Sequence, residues 1–186
     1  MHTAMVNIIL DRIQDQYVSE ELFCHDVLDL SIDKWTDWKS GNKPLPTDKM
    51  QKIKGLFSDY EWMLIQKIIS QTLVFPEKRN FAVMEYKHLK SVIATTWIKS
   101  GIAKVELIAE QRFSSEDILT TSQKRVINLR IIMSYDEWGY DDILEFFMPS
   151  VVQQQIEESK VDLLEWLDEN LVNTYTDKSG NSEENE

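Results

Sequence analysis

The sequence predicts an α+β protein in which an all-helical N-terminal domain precedes an α/β domain with a long antiparallel hairpin and a C-terminal helix. Three observations carry that prediction. Apolar residues recur three or four apart from Ala4 to Leu73, the spacing of helices that bury one face. The period then changes to two between Ile102 and Met133, the spacing of half-buried strands. Five glycines and four prolines in 186 residues are too few for a turn-rich all-β architecture.

Ala4 to Tyr17 sets Met5, Ile8, Ile9, Ile13 and Tyr17 at helical spacing, with Asp11, Arg12 and Asp15 on the other side. Ser19-Glu20-Glu21-Leu22 opens a second helix, with Ser19 as N-cap and Leu22, Phe23, Val27 and Leu28 inward. A third follows from Ile32, capped by Ser31 or Asp33 and closed by Ser40-Gly41, where Gly41 can take the positive φ that ends a helix cheaply. Within it Trp38 points to the core, and helical phase sets Trp35 outward. Pro46-Thr47-Asp48 starts a fourth helix buried on Met50, Ile53, Leu56 and Phe57. Ser58-Asp59-Tyr60-Glu61 is a capping-box sequence opening a fifth, with Trp62, Leu64, Ile65, Ile68, Ile69 and Leu73 inward.

Phe75-Pro76-Glu77-Lys78-Arg79-Asn80 reads as a connection, because Pro76 cannot continue the preceding helix. The expected organisation is a helical domain over 1–75, a linker at 76–82, an α/β domain over 83–176 and a disordered acidic tail over 177–186, which lacks any apolar residue. The second domain begins with a helix from Val83 to Ser100, buried on Tyr86, Leu89, Val92, Ile93 and Trp97 and stopped by Gly101. Ile102–Ala109 and Val126–Met133 alternate as two strands joined through Ser114-Ser115-Glu116-Asp117 and Thr120-Thr121-Ser122-Gln123. Tyr140 to Met148 reads as a short helix or turn broken at Pro149, and Val151 to Gln155 as a short edge strand. The last helix, Val161 to Tyr175, sets Leu163, Leu164, Trp166, Leu167, Leu171 and Val172 against Asp162, Glu165, Asp168 and Glu169.

A formal charge of −12 argues against nonspecific binding to nucleic acid or to anionic membranes, since like charges repel. The charge is uneven: residues 1–75 carry 8 Lys+Arg against 11 Asp+Glu, and 76–186 carry 12 against 21. Within 34–54 six lysines face only Asp37 and Asp48, so one stretch is a local cation in an acidic chain. The lone Cys24 excludes an internal disulfide and fits a reducing compartment. With no basic N-terminal run and no apolar stretch long enough to span a bilayer, the chain reads as cytoplasmic, without a membrane partner.

Catalysis finds little support, and the chain reads as a non-enzyme without cofactor or metal. His2, His25 and His88 lie in three segments without the i, i+4 partner of a helical zinc pair, and adjacent Cys24 and His25 face about 100° apart on a helix. Cys24 reads as a small buried hydrophobe of helix two. The acids Asp136-Glu137, Asp141-Asp142 and Glu145 read as solvated surface.

The cadence Trp35-x-x-Trp38-Lys39-x-Gly41-x-x-Pro44 resembles the recognition helix and following loop of phage-repressor helix-turn-helix domains. Its first turn, however, carries Asp33, Lys34, Trp35, Thr36 and Asp37 in place of the Gln, Arg, Asn or Ser that reach base edges. Lys34, Lys39, Lys43 and Lys49 would contact phosphates in a DNA-binding reading, and in the other reading 34–54 is a solvated helix surface. An exposed Trp35 would instead anchor a protein partner. Lys34, Trp35, Asp37, Lys39 and Lys43 are therefore the candidate partner-binding residues.

Over much of its length the chain also resembles the dimeric type II-A anti-CRISPR proteins of streptococcal phages, which inhibit a small Cas9. The residues carrying this are Ile8-Ile9-Leu10-Asp11 with Glu21 and Phe23, then Trp35-Thr36-Asp37-Trp38-Lys39-Ser40-Gly41. Lys49-Met50, Leu56-Phe57-Ser58-Asp59 with Glu61, and Leu164-Glu165-Trp166-Leu167-Asp168-Glu169-Asn170-Leu171-Val172-Asn173 complete it. Between Lys78 and Leu119 only Tyr86 and Trp97 match. The resemblance implies an N-terminal helix-turn-helix domain, an α/β domain forming a symmetric homodimer, and inhibition by holding Cas9 and lowering its DNA binding without occupying the motif-reading cleft. Cas9 would be the basic partner that an acidic chain is steered toward. The competing function is a helix-turn-helix DNA-binding regulator of a phage or mobile element.

Overall fold

Helix α1, His2–Gln16, turns Ala4, Val6, Ile8, Ile9 and Ile13 into the core, as their spacing requires. The computed structural model describes residues 2–108, 123–124, 126–135 and 141–176. After Tyr17 the Ser19 hydroxyl accepts from Leu22 N and caps α2, Glu20–Leu22, which passes into a π-helical turn at Phe23–Val27. That turn buries Phe23, Cys24 and then Leu28, so Cys24 is the buried hydrophobe expected; burial pushes its thiol up to about 12. Helix α3, Ile32–Lys39, follows Ser31, whose side chain makes no capping bond. Gly41 at φ +76° ends it, and a Cβ there would lie 3.4 Å from His2 Cδ2.

Helix α4, Thr47–Lys54, and helix α5, Asp59–Val74, meet at Leu56-Phe57, and Ser58 and Glu61 form the capping box that the sequence announces. Residues 76–82, expected as a linker, instead form a 3-10 turn, Pro76–Phe81, and the first residue of helix α6, Ala82–Lys99. Strands β1, Ala103–Ile108, β2, Val126–Ser134, and β3, Asp141–Pro149, form one antiparallel sheet in the order β1-β2-β3. Val105 faces Ile131, and Arg130 lies between Glu106 and Glu145. The β1–β2 pairing is the hairpin read from the alternation; its expected connection at 114–122 lies outside the described residues, as do Asp136, Glu137 and the expected tail at 177–186.

Two elements differ from expectation. Residues 140–148, expected as a helix or turn, contain β3, and 151–155, expected as an edge strand, lie in helix α7, Val151–Glu157. In Ile143-Leu144-Glu145-Phe146-Phe147-Met148 the half-covered face also carries the apolar Ile143 and Phe147, so the sequence hides the period of two that the burial of Leu144, Phe146 and Met148 shows. Gln153, Gln154 and Gln155 suit a helix, and Val152, buried, with Ile156 packed against the core, anchors α7.

Helix α8, Leu163–Thr176, closes the structure with Trp166, Leu167, Leu171 and Tyr175 inward, while Leu164 is exposed. Leu73 on α5 and Val92 on α6 are likewise exposed against expectation. The inner sheet face, Ile127, Leu129, Ile131, Leu144, Phe146 and Met148, is fully buried. The halves expected as separate domains share one core: a single cluster of buried side chains runs from Ala4 on α1 to Tyr175 on α8.

Candidate interaction surface and the buried charge centre

Helix α3 turns Trp35 inward, not outward: it is 0% exposed and lies between Phe23 and Trp38, with ring centroids 6.1 and 4.7 Å away. Both tryptophans are therefore core, because positions i and i+3 share a helix face. The indole Nε1 donates to Glu20 Oε2 at 2.9 Å, and Lys39 Nζ reaches the same oxygen at 2.7 Å. Trp35 and Lys39 thus lock α3 onto α2. The premise that made Trp35 a partner anchor falls.

Of the remaining candidates, Lys34 and Asp37 lie on α3, and Lys43 lies in the segment after it. Lys34 is exposed. Lys43 Nζ donates to Asp37 Oδ2 at 2.8 Å, and that bond and charge hold the Asp37 carboxyl below its ordinary pKa and raise the lysine. The neighbouring lysines are also engaged: Lys49 with Asp48 at 3.5 Å, Lys54 with Asp59 at 3.4 Å, and Lys52 with the Val27 carbonyl at 2.6 Å. Of the six lysines of this stretch, Lys39, Lys43, Lys49 and Lys54 lie beside a carboxylate, Lys52 bonds a carbonyl and Lys34 is exposed.

A second constellation, missed from sequence, joins the two halves. Arg12, Glu61 and Lys90 are 2%, 0% and 0% exposed. Glu61 Oε2 takes Arg12 Nη2 at 2.8 Å and its cap amide Ser58 N at 3.1 Å. Its Oε1 takes Lys90 Nζ at 2.6 Å and Glu145 N of β3 at 3.0 Å. One carboxylate thus accepts four bonds, the full capacity of an ionised carboxyl, from α1, α5, α6 and β3. Lys90 also donates to the Glu145 carbonyl, and Ser58 Oγ to that of Ile143. The outer edge of β3 is sealed by side chains.

Two cations around one anion leave a buried excess of positive charge, and the pKa values follow. Burial drives Lys90 down, Glu61 opposes, Arg12 repels, and Lys90 ends at about 8. Burial also disfavours charge on Glu61 and Arg12, but their mutual attraction prevails, lowering the carboxyl and raising the guanidinium. The Arg12 plane lies 4.8 Å from the Phe57 ring centroid and 5.0 Å from that of Phe147, and its Nη1 has no hydrogen-bond partner. Tyr86 OH accepts from Nη2 at 3.3 Å.

The signal was present: Arg12 lies four residues after Ile8 and three after Ile9, on the apolar stripe, and Lys90 follows Tyr86 by four. These buried groups tie α1, α5, α6 and β3 together. Among the described residues no three His, Cys, Asp or Glu side chains are grouped to hold a metal, and no helix is long and apolar enough to cross a membrane. No protein-family model, curated protein or solved structure matches the chain.

Proposed function

We propose that the protein is a noncatalytic inhibitor that binds a type II-A Cas9 and lowers its binding of target DNA, acting as a homodimer. The observation that supports a protein partner over a duplex is the pairing of the lysine-rich stretch. Lys39, Lys43, Lys49 and Lys54 each lie within 4 Å of a carboxylate. A phosphate approaching such a pair meets a compensated charge, and counterion release, the main source of DNA affinity, is weak. The resemblance in the tryptophan segment and in Leu164–Asn173 supplies the partner's identity, and −12 suits a basic partner.

Co-purification with a broad panel of type II-A Cas9 orthologues tests the reading. Capture of at least one, with a loss of its target-DNA binding, is the expected result; failure across the panel removes it. The regulator reading keeps one favouring feature, the exposed Lys34 beside the closed turn at Gly41. A duplex bound at low salt and released steeply as salt rises would favour that reading.

A further inference from the structure

The two edges of the sheet differ. Along β3, side chains of the α5 cap and of α6 reach the backbone: Ser58 Oγ and Lys90 Nζ donate to the Ile143 and Glu145 carbonyls, and Glu61 Oε1 accepts from Glu145 N. β1 pairs with β2 on one side, and among the described residues no strand pairs with its other side. The backbone groups along that side are a template for a further strand. The ladder with β2 runs over Ala103–Ile108 without a bulge, and β1 holds no proline, so nothing within the strand bends or blocks the edge. The core also thins there. Leu129 and Ile131 on β2 are 0% exposed, whereas Leu107 and Val105, which face them across the pair, are half-buried. The inward face of β1 thus carries apolar surface that another strand would cover.

On the outward face Lys104 and Glu106 are exposed. Across β2, Lys104 meets the apolar Ile132, and Glu106 meets Arg130, whose Nε bonds Glu145 at 2.8 Å. Ile102 and Ile108, at the two ends, are 64% and 40% exposed. This segment is complementary to itself when reversed. Two copies of β1 laid antiparallel about a two-fold axis through Val105 set Val105 opposite its own copy, Lys104 opposite Glu106, Ala103 opposite Leu107 and Ile102 opposite Ile108. Opposite residues share a face of the sheet, so the inward row is apolar throughout, small against large. The outward row holds two ion pairs flanked by isoleucines. Moving the axis to Lys104 or to Glu106 sets like charges directly opposite and breaks both ion pairs, so the strand favours one register. Lys104 and Glu106 also cancel, which leaves no net charge at the contact. The remaining acidity of each copy is screened beyond about 8 Å at physiological salt.

We infer that the open edge of β1 pairs antiparallel with β1 of a second copy, centred on Val105, and joins two three-stranded sheets into one continuous sheet across the dimer axis. This deepens the homodimer of the proposed function, on which it rests for the existence of a dimer, and it does not depend on Cas9 as the partner.

A charge-reversal cycle on the full chain tests the pairing, read by light scattering and sedimentation at micromolar concentration. Lys104→Glu and Glu106→Lys each set like charges opposite one another at both ion-pair positions, and each variant is expected to dimerise about tenfold more weakly than the wild type. Mixed in equal amounts, the two variants form a heterodimer, because each supplies the charge that the other lacks. The chain carrying both substitutions dimerises as the wild type does. Recovery on mixing cannot come from unfolded chains, so it separates a lost interface from a lost fold. A monomeric wild type overturns the inference and, with it, the homodimer of the proposed function. A dimer that withstands both single reversals, or one that they abolish without recovery in the mixture, overturns the inference and leaves a homodimer of another geometry. The complete cycle without capture of any Cas9 sinks the Cas9 reading and leaves the strand pairing in place.

Discussion

Glu61 has two jobs that the sequence shows only in part. As N3 of α5 it closes the capping box with Ser58, a local role readable from four consecutive residues. Its second role, holding Arg12, Lys90 and the Glu145 amide, spans separations of 49, 29 and 84 positions and has no local signature. Glu61→Gln leaves two buried cations without their counter-ion. We expect a loss of about 3–5 kcal/mol in urea unfolding, the cost typical of breaking a buried pair from one side; a loss below about 1 kcal/mol would mean that the cations find other partners. Lys90 carries a pH signature. Its folded pKa of about 8 lies below the ordinary 10.5, so its charge is a burden on the folded state at neutral pH. Between about pH 8 and 10.5 the unfolded chain holds more protons than the folded one, and stability rises with pH across that window. Lys90→Met removes the titrating group and should flatten the rise relative to wild type in melting temperatures taken every half pH unit. Trp35→Ala should cost about 3–5 kcal/mol through a core cavity. If the variant kept full stability and lost only Cas9 capture, Trp35 would be a partner anchor after all.

At the scale of elements, helices were legible wherever one face alone is buried, and caps were legible because they depend on neighbours in the chain. Ser19, Ser58 and Gly41 all serve as their sequence context indicates. Gly41→Ala places a side chain at φ +76° and against His2, whose Nε2 lies 2.6 Å from the Trp38 carbonyl. A loss of about 1–2 kcal/mol is expected for the left-handed conformation, read by denaturant midpoint; an unchanged midpoint would show that the α3 terminus relaxes freely. β3 and α7 were misread for one reason. A strand with apolar residues on its half-covered face as well as its buried one shows little alternation, and a seven-residue helix held by Val152 and Ile156 is too short to show a stripe. On α6 Tyr86 lies inward as expected and Leu89, Ile93 and Trp97 pack against the core, but Lys87, Lys90 and Ser91 are buried beside them at positions a hydrophobicity pattern assigns to solvent.

For the molecule as a whole, charge and core pull in separate directions. The −12 charge disfavours a polyanionic partner, and the paired lysines of α3 and α4 reinforce this locally. We expect no measurable duplex binding at low salt by electrophoretic mobility shift, and salt-sensitive binding there would return the regulator reading. The proposed homodimer gives a light-scattering mass near twice the chain's 21.9 kDa at micromolar concentration; a monomer mass would remove it. Because one core spans 1–75 and 83–176, unfolding should be a single cooperative transition seen alike by tryptophan fluorescence and by far-UV circular dichroism. Two separated transitions would restore independent domains.

By itself the sequence determined the α+β class, most of the helices, the β1–β2 hairpin, the caps at Ser19 and Ser58 and the acidic balance, because each depends on spacing or composition within a short window. Only the tertiary structure decided which of two equally spaced faces is inward at Trp35, Leu73 and Val92, which charges are buried, and which edge of the sheet is sealed by side chains. Burial is set by what the facing element presents. Arg12 and Lys90 are inside because Glu61 meets them there, and no local pattern contains that meeting.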